Sequence, residues 1–163
     1  MLLRSYDLML ESSHARFIET TLAHKGNNMA LIDWNADLSV GIASIDDQHK
    51  KLIGLLNTLN DAMKSGKAKE ALAGILSELI NYTAYHFSNE EKYMEQAEYA
   101  AAFLHKTEHQ KLVKQLLELQ KEYAAGKAMI TIDIMNFLKD WVAKHIQGSD
   151  KKYDPALIAK GIC

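Results

Sequence analysis

Four stretches of the chain repeat apolar residues at steps of three and four, and each stripe also carries histidine. Such steps place residues on one face of an α-helix. The first stripe is Leu52, Leu55, Leu56, Leu59 and Met63, on a helix predicted over about residues 45–64 and closed by Ser65-Gly66. The second is Leu72, Ile75, Leu76, Leu79 and Thr83, over about 68–94. The third is Leu112, Leu116, Leu119 and Tyr123, over about 100–125 and closed by Gly126. The fourth is Ile134, Leu138, Trp141 and Val142, over about 131–147 and closed by Gly148. The connections are a few residues long, and short links join antiparallel neighbours. The expected fold is therefore all-α, an up-down-up-down four-helix bundle. A single Pro and eight Gly among 163 residues supply too few turn formers for a sandwich or barrel, while the length suffices for one domain with its own core.

The histidines continue the stripes. His49 precedes Leu52 by three residues and Leu56 by seven. His86 follows Thr83 by three, and Glu90 lies one turn further along the same face. His105 and His109 extend the steps of Leu112 and Leu116 backwards. His145 follows Trp141 by four and Leu138 by seven. One histidine on an apolar face is ordinarily a satisfied core residue, but five with a carboxylate are not independent. Burying each unpaired costs on the order of 2–7 kcal/mol or more, and together that would consume a typical total stability of about 5–15 kcal/mol. In an antiparallel bundle the positions also share one height. His49 is near the start of the first helix, His86 and Glu90 near the end of the second, His105 and His109 near the start of the third, and His145 near the end of the fourth. A shared cation satisfies such a set best. Asp150, five residues after His145 and beyond Gly148, reaches the same point if the last helix frays or bends at that glycine.

The rest of the chain narrows the class. Residues 1–28 have neither the unbroken apolar stretch nor the cleavage site of a secretory signal, and Lys25-Gly26-Asn27-Asn28 reads as a linker before Met29. They are expected to form an N-terminal extension outside a working domain of residues 29–163, with His14 and His24 in it. Residues 30–45 lack a sustained helical period and are expected to lie as an extended arm on the bundle. No apolar run approaches the roughly 18 residues of a membrane span. A net charge of −2 offers no basic surface for nucleic acid. The single Cys, Cys163, excludes a disulfide framework within the chain and any thiolate metal site. A cytoplasmic monomer is expected.

Five imidazoles and two carboxylates exceed what one tetrahedral zinc uses, and calcium and magnesium prefer oxygen alone. The mixture suits iron, manganese or another transition metal. Two octahedral ions sharing both carboxylates and a bridging oxygen would use the whole set and leave one position open. The short pattern His105-Lys-Thr-Glu-His109 also matches an inverted zinc-protease motif, but that reading strands His49, His86, Glu90 and His145.

His49, His86-Phe-Ser-Asn-Glu90, His105-Lys-Thr-Glu-His109 and His145-Ile-Gln-Gly-Ser-Asp150, in this order, resemble the hemerythrin family in its single-domain bacterial form. The resemblance runs from about Ala30 to Tyr153, with every ligand position filled. It implies two non-heme iron ions joined by an oxo or hydroxo bridge. His105, His109 and His145 would bind one iron, and His49 and His86 the other, which keeps the open position. Glu90 and Asp150 would bridge the pair. The implied function is reversible dioxygen binding without enzymatic turnover, as a carrier, store or scavenger. The alternatives are an oxygen or redox sensor acting through a partner protein, and a di-iron protein reactive toward nitric oxide or peroxide. Leu52, Phe87, Trp141, Val142 and Ile146, one to four residues from the ligands, are expected to wall the oxygen pocket, and Tyr153 to cover the base of the site.

Overall fold

The computed structural model describes residues 29–162. The extension expected over residues 1–28, including His14 and His24, lies outside the described residues, as does Cys163. Helix α1 spans Ala43–Lys64, α2 Lys69–Gln96, α3 Ala102–Ala124 and α4 Ile132–Gly148. Their bounds agree with the expected ones to within two residues. α1 packs on α2 and on α4, and α2 packs on α3, as an up-down-up-down bundle requires.

The helix ends have local causes. Gly66 and Gly126 sit in the left-handed region (φ 65° and 72°), which glycine enters without a Cβ penalty. Beyond each, the chain closes a reverse pair of bonds: Lys67 N–H donates to Ala62 O (3.0 Å), and Lys127 N–H to Glu122 O (2.9 Å). At the start of α4, the Thr131 hydroxyl oxygen accepts from the Ile134 amide at 3.3 Å.

The stripes face the core. Leu52, Leu55, Leu56, Leu59, Leu76, Leu79, Thr83, Leu112, Leu116, Tyr123, Leu138 and Val142 are buried. Met63, Leu72, Ile75, Leu119, Ile134 and Trp141 are half-buried against them. The arm is extended apart from one 3-10 turn at Ala36–Leu38, and it contributes Ile32, Leu38, Val40 and Ile42 to the core. Asn57 clamps it: its side chain accepts from Ile32 N–H (3.0 Å) and donates to Ile32 O (2.9 Å). Asp46, in the first turn of α1, accepts from Val40 N–H (2.8 Å) and the Ser39 hydroxyl (2.5 Å), tying the arm to the helix it leads into. Among the described residues, no helix is long and apolar enough to cross a membrane.

One element was not expected. After α4 the chain makes a 3-10 turn, Asp150–Lys152, and a further helix, α5, Asp154–Ala159. α5 is too short to display a stripe, but Pro155 fits its first turn and Leu157 is fully buried. It packs on α2 and closes the histidine end of the bundle.

Candidate metal centre

All seven side chains singled out from the sequence meet at one end of the bundle. His49, Glu90 and Asp150 are 0% exposed, and His86, His105, His109 and His145 are also buried. The helix periodicity delivers six of them, and the break after Gly148 delivers the seventh. The helix stops there, and the 3-10 turn carries the Asp150 carboxylate inward.

The carboxylates divide the histidines into two groups. Glu90 Oε1 faces His49 Nε2 (3.7 Å) and His86 Nε2 (3.6 Å), while its Oε2 faces His109 Nε2 (3.2 Å). Asp150 Oδ2 faces His49 Nε2 (3.3 Å), while its Oδ1 faces His105 Nε2 (3.2 Å) and His145 Nε2 (3.1 Å). Each carboxylate thus turns one oxygen toward the pair His49 and His86 and the other toward the trio His105, His109 and His145. Two donor sets of three and five residues follow, His49–His86–Glu90 and Glu90–His105–His109–His145–Asp150.

The arrangement fits metal ions better than it fits itself. His49 Nδ1 and Nε2, Glu90 Oε2, His105 Nε2 and both Asp150 oxygens are buried without a hydrogen-bond partner among the described residues, although several lie at ion-pair distance from one another. Buried polar atoms seldom remain unpaired. Bonds of about 2.1 Å at right angles set neighbouring donor atoms about 3 Å apart, close to the separations above.

Electrostatics favour the same reading. Burial by itself would raise both carboxylates, yet the surrounding imidazoles hold Glu90 and Asp150 well below their usual range. Burial would lower His49, but the Asp150 and Glu90 carboxylates outweigh it and raise it to about 9. His145 is raised by the same competition. Burial dominates at His86, which falls to about 4. Two ionised carboxylates therefore sit beside His49 and His145, whose raised proton affinity marks a place that favours a cation.

A second layer orients the imidazoles, and the sequence reading missed it. His86 Nδ1 lies 3.0 Å from Gln48 Oε1, His109 Nδ1 3.3 Å from Glu91 Oε1, and His145 Nδ1 3.0 Å from Glu108 Oε2. Glu108 is steadied by the Ser149 hydroxyl at 2.7 Å, and Glu91 by Lys106 at 2.8 Å. An acceptor at Nδ1 leaves Nε2 free to bind metal. Each acceptor neighbours a cluster residue in sequence but serves a histidine on another helix, so no spacing rule reveals it. Glu108 is thereby committed to the outer side of His145, which leaves the inverted zinc-protease reading without its general base.

The five residues expected to wall a pocket separate. Leu52, Trp141 and Val142 line a cavity of about 10 Å³, together with Thr83, Leu112 and leucines further along the bundle. Its nearest lining residues lie three or four positions from His49, His86, His109 and His145. That is about the space one water molecule occupies, and its walls are apolar; the Thr83 hydroxyl is spent on Leu79 O at 2.8 Å. Phe87 and Ile146 are buried but do not line it. Phe87 stacks flat on His109, with centroids 3.7 Å apart and an interplanar angle of 2°, and reaches a larger outer groove between α2 and α3. Trp141 also stacks on His145 (4.4 Å, 18°). Tyr153 covers the base as expected, fully buried, with its hydroxyl donating to Glu90 Oε1 at 2.5 Å.

Known proteins resemble this chain in sequence and fold. The family model described as the hemerythrin HHE cation binding domain matches residues 40–157. A bacteriohemerythrin of Methylococcus capsulatus is 39% identical over 132 residues, covering 80% of this chain and all of that protein. One from Stenotrophomonas maltophilia is 36% identical over 125 residues, covering 77% of this chain and 80% of that protein. The crystal structure of a wild-type hemerythrin superposes with a TM-score of 0.76 at 37% identity, covering 78% of this chain and 98% of that one.

Proposed function

Since the chain belongs to the hemerythrin family, a di-iron, oxygen-binding family, we propose that it holds a non-heme di-iron centre and binds dioxygen reversibly. His105, His109 and His145 would hold one iron, His49 and His86 the other, and Glu90 and Asp150 would bridge them. The observation that carries this reading is the division of both carboxylates between the histidine pair and the histidine trio. When bound, such a pair of irons supplies two electrons that dioxygen can accept and return.

The chain's own residues set the conditions for that exchange. Gln48, Glu91 and Glu108 hold His86, His109 and His145 through Nδ1, so these rings present Nε2 inward. Phe87 and Trp141 fix two of the rings by stacking. The small cavity beside the cluster is lined by Leu52, Thr83, Leu112, Trp141 and Val142, so it excludes water and offers no acid or base to a molecule held there. A largely apolar wall without carboxylate or imidazole, its Thr83 hydroxyl already bonded to Leu79 O, favours holding a gas over transforming it. This supports a carrier, store or scavenger over an enzyme, and dioxygen over a macromolecule as the ligand.

The test is an iron count combined with the visible spectrum of the reduced protein before and after exposure to air. Two irons per chain and a charge-transfer band that leaves with the dioxygen are expected. One zinc per chain, or irreversible bleaching on the first exposure, would refute the reading.

A further inference from the structure

We propose that Tyr153 is a positioning residue that fixes Glu90 for the iron on His49 and His86, an inference that rests on the di-iron reading above. The Tyr153 hydroxyl donates to Glu90 Oε1 at 2.5 Å, across 63 residues of chain. That oxygen is the one turned toward His49 and His86; the other, Oε2, faces His109 and has no hydrogen-bond donor. The phenol ring is fully buried, tilted against His105 (centroids 5.5 Å apart) and edge-on to Tyr99 (6.4 Å), so its hydroxyl has one place to point.

The two bridging carboxylates differ in what holds them. Asp150 is short and sits on a tight 3-10 turn, and neither of its oxygens has a hydrogen-bond partner. Glu90 lies in the last two turns of a long helix and has one more torsion to fix. The Tyr153 hydroxyl supplies that constraint from the chain segment that follows Asp150. The two ion positions are also unequal. An ion on His105, His109 and His145 keeps three imidazoles however Glu90 turns. An ion on His49 and His86 has two, and depends on Oε1 staying where it is. Loss of the hydroxyl is therefore felt on one side of the centre.

The experiment uses the full chain loaded with ferrous iron and challenged with an excess of a ferrous chelator, comparing wild type with Tyr153→Phe, which keeps the ring and removes the hydroxyl. One of the two irons should leave about 10- to 100-fold faster in the variant, the usual cost of losing an outer partner of a metal ligand, while the other leaves at the wild-type rate. Unchanged release of both irons, or equal acceleration of both, would overturn the proposal; the latter would mark Tyr153 as packing alone. Fewer than two irons in the wild type would refute the di-iron reading and the proposal with it. If Tyr153→Phe does not fold, wild-type apoprotein titrated with cobalt(II) provides the same decision. A tyrosine ultraviolet difference band should appear with the second equivalent, on His49 and His86. A band complete at the first equivalent, or none, would overturn the assignment.

Discussion

The two ends of the bundle are built on different principles. At the end away from the histidines, Leu59, Leu76 and Met135 fill the space between helices with close-packed apolar side chains, and stability there comes from removing apolar surface from water. At the other end the same stripes carry five imidazoles and two carboxylates with the same near-zero exposure. Hydrocarbon gains by burial; unpaired polar atoms lose by it. Identical backbone geometry thus produces one end that is complete by itself and one that needs ions to be complete.

Substitutions can break this contrast. Glu90→Ala or His105→Ala has the largest expected effect: loss of the di-iron centre together with a lowered thermal midpoint, because the remaining donors are left buried and unpaired. Metal analysis with a thermal melt checks both, and full iron content in either variant would refute the ligand assignment. Leu59→Ala, at the apolar end, should cost about 2–5 kcal/mol by opening a cavity, yet leave two irons per chain. A denaturant titration with an iron count separates the two kinds of damage. Glu108→Ala, which frees the outer nitrogen of His145, should weaken metal affinity by about 10- to 100-fold without altering the apolar end. Competition with a chelator measures it.

The pH dependence sharpens the comparison. His49 is raised from 6.5 to about 9 by its carboxylate neighbours. Its contribution to the stability of the metal-free protein is therefore complete below 6.5 and is lost as the pH rises through 9. Glu90 and Asp150 are held low, so theirs is present above the ordinary carboxylate range and lost as the pH falls below that range through their lowered values. The metal-free protein should lose thermal stability between pH 6.5 and 9. The loaded protein should not, since the metal replaces the proton on His49. Parallel melting curves for the two forms would contradict this. The smallest effect is expected from deleting residues 1–28, which should leave iron content and visible spectrum unchanged.

Much of this was legible in the sequence, for physical reasons. Helix period and antiparallel order alone put His49, His86, Glu90, His105, His109 and His145 at one height, and Gly148 marks where the chain can turn to bring Asp150 in. What the sequence did not reveal depends on contacts between helices. Gln48, Glu91 and Glu108 look like ordinary surface positions beside the cluster and acquire their roles only against a ring on another helix. The stack of Phe87 on another helix is a further case, since it lies one step, about 100°, around the helix from His86. It therefore meets His109 on α3 rather than the cavity. α5 escaped notice because six residues make too short a helix to show periodicity, and it is held by Leu157 rather than by propensity.

We propose that two irons complete the polar end of the bundle and bind dioxygen reversibly. Cycling the reduced, iron-loaded protein between dioxygen and an inert gas, while its visible spectrum and iron content are followed, tests this most directly. Two irons per chain and a charge-transfer band that appears and disappears over repeated cycles are predicted. A single metal per chain, or a band that never returns after the first cycle, would contradict the claim.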